Sequence, residues 1–220
     1  MDFKILALSD FHGFVPSFHK AVERARSEEV DLLIVAGDIT HFGSLETAGK
    51  LLDILTKTRI NVVFVPGNCD PASLASVSWS QPRCIHGRAF NTHNFNLIGV
   101  GGALETPFLT FFEVSDWEVW EILQMGLSGS LNGRLIVVSH SPPKGTRLDI
   151  THSGLHIGSS SLRRFIEEKN PTCVICGHVH EARGKDRLNS TLIVNPGPAR
   201  DGYCAVLEIN EDLEVSLDTL

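Results

Sequence analysis

No run of lysine and arginine interrupts this sequence, and 26 acidic residues outnumber 19 basic ones for a formal charge of −7. A surface that grips nucleic acid without sequence preference needs clustered positive charge. Nucleic acid is therefore not the expected partner. A small anionic substrate stays open, because bound cations would invert the local field. No apolar stretch reaches the length of a membrane span. Met1-Asp2-Phe3-Lys4 leads straight into strand-like residues, without the basic start and apolar segment of a signal peptide. The five cysteines, an odd number, then suit reduced thiols in the cytoplasm. No thiolate cluster marks a structural zinc site. Cys173 and Cys176 have CxxC spacing but lie in an apolar strand-like run, where positions i and i+3 point to opposite faces. They are expected to be buried structural thiols.

The chain also lacks internal repeats, low-complexity linkers and any clear boundary. Its 220 residues, 42% of them hydrophobic, are expected to form one domain over 1–220. A homo-oligomer is compatible with this length. The first half alternates strand and helix. Strands are expected over Phe3–Leu8, Asp31–Ala36 and Ile60–Val65, with helices over Pro16–Glu29 and Ser44–Thr58. Pro16 suits a first helical turn and Ser44 an N-cap. This βαβαβ order implies parallel pairing. Further on, Arg83–Val100 reads as shorter strands and Gly99–Pro107 as a loop. Ser115-Asp116-Trp117-Glu118 matches a capping box opening a helix towards Met125. Leu135–Ser139, a helix over Ser159–Lys169, Thr172–Cys176 and three tail strands (Thr191–Val194, Tyr203–Ile209 and Leu213–Leu217) complete the pattern. The architecture expected is α/β, with two packed sheets covered by helices.

Five of these segments end in metal-ligating side chains: Asp10-Phe11-His12, Gly37-Asp38, Gly67-Asn68-Cys69-Asp70, His140 and Gly177-His178-Val179-His180. Ligands in α/β proteins collect beyond the carboxyl ends of strands. Asp10 and His12 are two apart, as are His178 and His180. An extended backbone would point each pair the same way. Asp38 follows the most apolar strand and has two oxygens, so it is the best candidate to bridge two ions. A lone DxH or GD is a weak signal, and any single histidine reads more readily as an ordinary surface or core residue. All five in order make a nitrogen and oxygen set large enough for two ions roughly 3.5–4 Å apart, a device for attacking phosphate esters with water.

The order DxH, GD, GN, a lone His and GHxH resembles the calcineurin-like metallophosphoesterase superfamily, from Asp10 to the Asn195-Pro196-Gly197 loop. The resemblance implies a four-layer α/β/β/α sandwich of two mixed sheets flanked by helices. It implies that Asp10, His12 and His180 hold one divalent ion and Asn68, His140 and His178 a second, with Asp38 bridging. A hydroxide between them would be the nucleophile of a phosphodiesterase or related phosphohydrolase. Mn²⁺ is the first expectation for the ions. Fe, Ni²⁺, Co²⁺ and Zn²⁺ also suit mixed His, Asp and Asn ligands. The substrate expected is a small phosphate ester or nucleotide. A nuclease branch exists, but the acidic balance argues against it. A scaffold that has lost its ligands is the other alternative, and here every ligand position is filled.

One position departs from the family pattern. The third block usually places a His after the Asn, followed by an acid that orients it. Here Cys69 stands there and Asp70 is kept, as in small single-domain prokaryotic members of phosphodiesterase type. Asn68, Cys69 and Asp70 are the expected catalytic block. A thiol, with a reference pKa of ~8.5, is a poorer donor than imidazolium. His41 and His156 are candidate substitutes and substrate contacts, and Arg200 a candidate phosphate contact beside Asp201. His19, His86 and His93 carry no expected role, and Trp79, Trp117 and Trp120 are expected to pack.

Overall fold

The computed structural model describes residues 3–92, 95–106, 108–128 and 133–220. His93 and Pro107, which fall in the middle strands and loop, lie outside them. In chain order the regular elements are β1 (Phe3–Leu8), α1 (Val15–Ser27), β2 (Leu32–Ala36), α2 (Leu45–Thr56), β3 (Asn61–Val65), β4 (Arg83–Cys84), β5 (Ala89–Thr92) and β6 (Phe95–Val100). There follow β7 (Ala103–Leu104), β8 (Glu113–Val114), α3 (Asp116–Leu127), β9 (Arg134–Ser139), α4 (Ser160–Lys169) and β10 (Cys173–Ile175). Last come β11 (Gly184–Leu188), β12 (Thr191–Asn195), β13 (Tyr203–Ile209) and β14 (Leu213–Thr219). The helix starts follow their capping chemistry. Ser44 Oγ accepts from Thr47 N at 3.2 Å and Ser159 Oγ from Leu162 N at 3.0 Å. Ser115 and Glu118 form the reciprocal capping box.

Two six-stranded mixed sheets carry the fold, in the orders β14-β13-β1-β2-β3-β4 and β11-β12-β10-β9-β6-β5. The βαβαβ expectation holds: β1, β2 and β3 pair in parallel. Alternation along each strand separates three apolar layers. Leu6 and Leu8 of β1 and Leu33 and Val35 of β2 pack with α1 and α2 residues such as Phe18 and Leu52. Their neighbours Ile5, Ala7, Leu32 and Ile34 face Ile136, Val138, Cys173 and Ile175 of the other sheet. Val137, Val174 and Cys176 face the opposite way, against Leu123 of α3 and Phe165 of α4. The result is helices, sheet, sheet, helices. Cys173 and Cys176 accordingly sit in different layers, and burial pushes the Cys173 thiol up to about 12.

Three details differ from expectation. β11 is an edge strand of Gly184, Lys185, Asp186, Arg187 and Leu188, too charged to show an apolar period. The Gly99–Pro107 segment is not all loop, because Ala103–Leu104 pairs with β8. Trp79 and Trp120 pack as expected, but Trp117 is 65% exposed on α3.

Candidate metal centre

β1, β2 and β3 of one sheet and β9 and β10 of the other run in parallel within their sheets, and the loops that follow them meet. Backbone hydrogen bonds staple those loops together. Asp10 N donates to Gly37 O at 3.0 Å, His12 N to Asp38 O at 2.8 Å and Gly177 N to His140 O at 3.0 Å. The backbone is not extended there, contrary to the spacing argument. Asp10, His12, Asp38 and His178 have φ of 55°, 46°, 50° and 69°. Left-handed turns, not strand alternation, aim these side chains. Each such turn on a non-glycine residue costs on the order of 1–3 kcal/mol, and the surrounding bonds must hold it. Close approach is needed as well. A Cβ on Gly67 would run into the Asp38 carboxylate and backbone, and one on Gly177 into Ser9 and Asp10.

The side chains so aimed face one another with few protons between them. His140 Nδ1 lies 2.8 Å from the Ala36 carbonyl, which only accepts, so Nδ1 carries the proton. Its Nε2 therefore presents a lone pair to Asn68 Oδ1, a second acceptor, 3.0 Å away. His12 Nε2 and His180 Nε2 lie 3.2 Å apart. Asp10 Oδ1 is buried without a hydrogen bond among the described residues, 3.3 Å from His180 Nε2 and 3.9 Å from His12 Nε2. Asp38 spans both groups, with Oδ2 3.6 Å from His12 Nε2 and Oδ1 3.6 Å from His140 Nε2. Two sets, Asp10 with His12 and His180 and Asp10 with Asp38 and His140, have ligand atoms near enough to share an ion. His178 joins through its backbone N, 3.2 Å from Asp10 Oδ2, and its ring packs edge-on to His140. Buried acceptors facing acceptors are the pattern a cation would resolve, so the residues present fit divalent ions.

Electrostatics favour the ligand forms of His12 and His178. Burial pushes His12 down to about 4 and His178 down to about 3, which keeps their lone pairs free. Burial alone would raise the Asp10 carboxyl, but the partnership with the His180 imidazole holds it below the usual range. His180 is raised by that same partnership. Burial pushes the Asp38 carboxyl up to about 7 in the protein without ions.

In the Asn68-Cys69-Asp70 block, Asp70 braces the loops. Its Oδ1 accepts from Thr40 N at 2.7 Å and Thr40 Oγ1 at 2.9 Å, and its Oδ2 from Gly67 N at 2.9 Å and Ile39 N at 3.0 Å. Both oxygens are thus committed to the β2 and β3 loops. Cys69 N donates to Asp38 Oδ1 at 2.8 Å. Burial and then the Asp38 charge push the Cys69 thiol far up, so it stays protonated.

The proposed substrate contacts separate. His41 lies beside the cluster, with its ligand atom within 4.8 Å of those of His12 and Cys69. His41 and Arg200 line one cleft of about 380 Å³ with His12, Phe14 and Asp201. Arg200 is tied there by its backbone N to Asp10 O, and its Nε lies 3.4 Å from Asp201. His156 instead turns its Nδ1 to Asp149 at 2.8 Å. Asp149 was not singled out in the sequence. It is buried and gathers Gly145, Thr146 and Gly158 backbone N–H groups, which shapes the whole 143–159 loop. No local motif marks it, because its partners lie on both sides along the chain. That loop borders the centre through His152 N, which donates to Glu181, the neighbour of His180.

Comparison with known proteins agrees with this geometry. Residues 3–182 match the family described as calcineurin-like phosphoesterase. An uncharacterized protein of Methanocaldococcus jannaschii is 35% identical, over 89% of this chain and 88% of its own. A probable cyclic nucleotide phosphodiesterase of Vesicomyosocius okutanii is 22% identical, over 90% and 88%. A solved dimetal phosphatase from Danio rerio has the same fold, with a TM-score of 0.70 at 15% identity, covering 99% of this chain and 96% of that one. Two mixed sheets between helices, a carboxylate and imidazole cluster at their strand ends and a match spanning most of the sequence lead to one assignment: the chain belongs to the calcineurin-like phosphoesterase family, hydrolases of phosphoric ester bonds.

Proposed function

We propose that this chain is a single-domain phosphodiesterase with a two-ion centre, acting on a small phosphate ester or nucleotide. The observation that carries the reading is Asp38, whose two oxygens each stand 3.6 Å from an imidazole nitrogen of a different group. Asp10, His12 and His180 would hold one ion and Asn68, His140 and His178 the other, with Asp38 between. The ions, Mn²⁺ first, would supply activated water and neutralise charge on phosphoryl oxygens. That every family position carries a ligand-type side chain favours this over a scaffold role. The relative called a probable cyclic nucleotide phosphodiesterase supports a diester substrate.

The chain's own contribution is positioning. The Ala36 carbonyl fixes the His140 ring and tautomer, as outer partners of metal-ligating histidines do. Asp70 holds the β2 and β3 loops in register. Arg200 and His41 stand at the cleft where a phosphate anion would enter. Cys69 keeps its proton and donates weakly, which favours diesters with good leaving groups over alkyl monoesters. All five cysteines are free thiols, which supports a reducing, cytoplasmic setting. No helix among the described residues is long and apolar enough to cross a membrane.

The test uses metal-stripped protein with bis-p-nitrophenyl phosphate and p-nitrophenyl phosphate, adding back Mn²⁺, Fe²⁺, Ni²⁺, Co²⁺ or Zn²⁺ singly. Restored activity, stronger on the diester, is expected. Asp38→Ala should cost more than the roughly 100-fold that loss of an outer hydrogen-bond partner costs. Two ions bound per chain with no hydrolysis of either ester would overturn the reading.

A further inference from the structure

An unbroken series of aromatic rings leads out of the centre on one side. His180 and His12 have ring centroids 5.1 Å apart, and His12 and His41 5.5 Å. His41 and Phe42 follow at 4.9 Å, then Phe42 and Phe111 at 5.0 Å in an edge-to-face pair. Phe42 is 44% exposed and Phe111 54%. Bulky apolar side chains left this open at the rim of a catalytic cleft need a reason.

Both rings are held in place. Phe42 has a left-handed backbone, with φ of 56°, and its N donates to Cys69 O at 3.0 Å. The N of Phe112, next to Phe111, donates to Asn68 O at 3.1 Å. The arm that presents Phe111 is tied by Glu113, whose Oε1 accepts from Thr106 Oγ1 at 2.8 Å, Thr110 N at 2.9 Å and Thr110 Oγ1 at 2.7 Å. Two segments almost 70 residues apart in sequence are thus anchored to the carbonyls of consecutive residues in the catalytic block. Any shift of that block carries the wall with it.

The chemistry of this side is one-sided. Residues 39–45 and 106–112 contain no Asp, Glu, Lys or Arg. The cleft's cation, Arg200, lies with Asp201 on the segment after β12. A phosphate at the centre therefore meets Arg200 and Asp201, with Phe14, in the cleft and uncharged aromatic surface beyond His41.

We propose that Phe42 and Phe111 form the subsite for the organic group of the ester, and that it takes a planar aromatic group such as a nucleobase or an aryl ring. The inference rests on the phosphoesterase reading of the centre. Aromatic side chains bind planar rings through their faces and edges with little demand for particular polar atoms. The subsite accordingly selects ring-bearing esters over those of glycerol or short alkyl alcohols. Continuity with the cleft favours substrate over a protein partner as the occupant.

The experiment measures binding of phenylphosphonate and methylphosphonate to Mn²⁺-loaded protein by calorimetry, for the wild type and for the Phe42→Ala/Phe111→Ala double variant. The wild type should bind phenylphosphonate roughly tenfold more tightly than methylphosphonate, as one stacked ring contributes. The double variant should lose that preference and keep its methylphosphonate affinity within about twofold. If it loses methylphosphonate binding as well, Phe111→Ala alone, farther from the cluster, should still narrow the preference. An unchanged preference in that single variant would then overturn the subsite. Equal binding of both phosphonates by the wild type overturns the subsite but leaves the phosphoesterase reading standing. No binding of either phosphonate overturns the anion site itself. A double variant that turns from dimer to monomer with both affinities unchanged would make the wall an interface between copies, and this too overturns the proposal.

Discussion

His140 and His180 carry the same imidazole, yet the chain holds them in opposite ways. His140 is fully buried in the seam between the sheets. Its backbone N donates to Val100 O at 3.1 Å, its Nδ1 to Ala36 O and its Nε2 confronts Asn68. His180 opens a single 3₁₀ turn, His180–Ala182, and its side chain is 35% exposed beside the cleft. One half of the centre is part of the core, and the other is presented to whatever enters. In the closed half, ligand geometry and folding are one problem. In the open half they are separable.

The largest expected effect breaks that comparison if it fails. His140→Ala and His180→Ala should each remove one bound ion and most of the activity. In metal-free protein they should differ. His140→Ala removes a buried hydrogen bond to the Ala36 carbonyl, which keeps Ser9 Oγ at 3.0 Å, a cost of about 0.5–1.5 kcal/mol before the cavity that a fully buried ring leaves. His180→Ala loses the partnership with the Asp10 carboxyl but leaves no cavity in the core, so it should cost less than His140→Ala. Urea unfolding of the two stripped variants, with metal content per chain, decides it. Equal destabilisation would mean that the halves are not built differently.

The same division explains what was legible in the sequence. The closed half announces itself, because β2, β9 and β10 are apolar runs that stop at Gly37-Asp38, His140 and Gly177-His178. The three-layer split of the core follows from alternation along those runs. The left-handed turns at Asp10, His12, Asp38 and His178 were not legible, because Asp and His adopt them without any mark in composition. Only the neighbouring glycines hint at them. β11 was invisible because edge strands carry charge where interior strands carry an apolar period. The Phe42 and Phe111 pairing depends on hydrogen bonds to Cys69 and Asn68, far away in sequence, which no local pattern encodes.

A second prediction sharpens the contrast through pH. Behind the closed half, Gly101 N donates to His86 Nδ1 at 2.9 Å, one residue after the Val100 carbonyl that receives His140. Burial, and then Arg88, push His86 down to about 4 from its ordinary 6.5. The unfolded chain therefore takes up this proton first as pH falls. Stability from neutral His86 is complete above about 6.5 and is lost as pH falls towards 4, by up to about 3 kcal/mol. His86→Asn keeps an acceptor for Gly101 but cannot gain the charge. Stripped His86→Asn should thus show a flatter acid limb than stripped wild type in urea unfolding between pH 7 and 4.5. Parallel curves would show that His86 does not brace this half.

Cys69 sits where the halves meet, and it carries the smallest expected effect. Its N–H belongs to the closed half, through Asp38 Oδ1, while its thiol lies with His12 and His41 on the open side. Burial keeps the thiol protonated, so it neither attacks nor donates strongly. A leaving oxygen that needs a proton gains little from it. Cys69→His would place an imidazole there, but Asp70 could not orient the ring as the family pattern has it. Both Asp70 oxygens are already committed to Thr40, Ile39 and Gly67. The gain should therefore stay near tenfold, below the 10²–10⁴ of a fully positioned general acid. It should also grow as the leaving group worsens from p-nitrophenol to an alkyl alcohol. Rates across such a series, for wild type and Cys69→His at fixed Mn²⁺, give the slope directly. A parallel rise for every ester would show that the substitution changes ion or phosphate binding and not proton donation. The proton for poor leaving groups would then have to come from the open side, where His41 stands beside the cluster outside the seven proposed ligands.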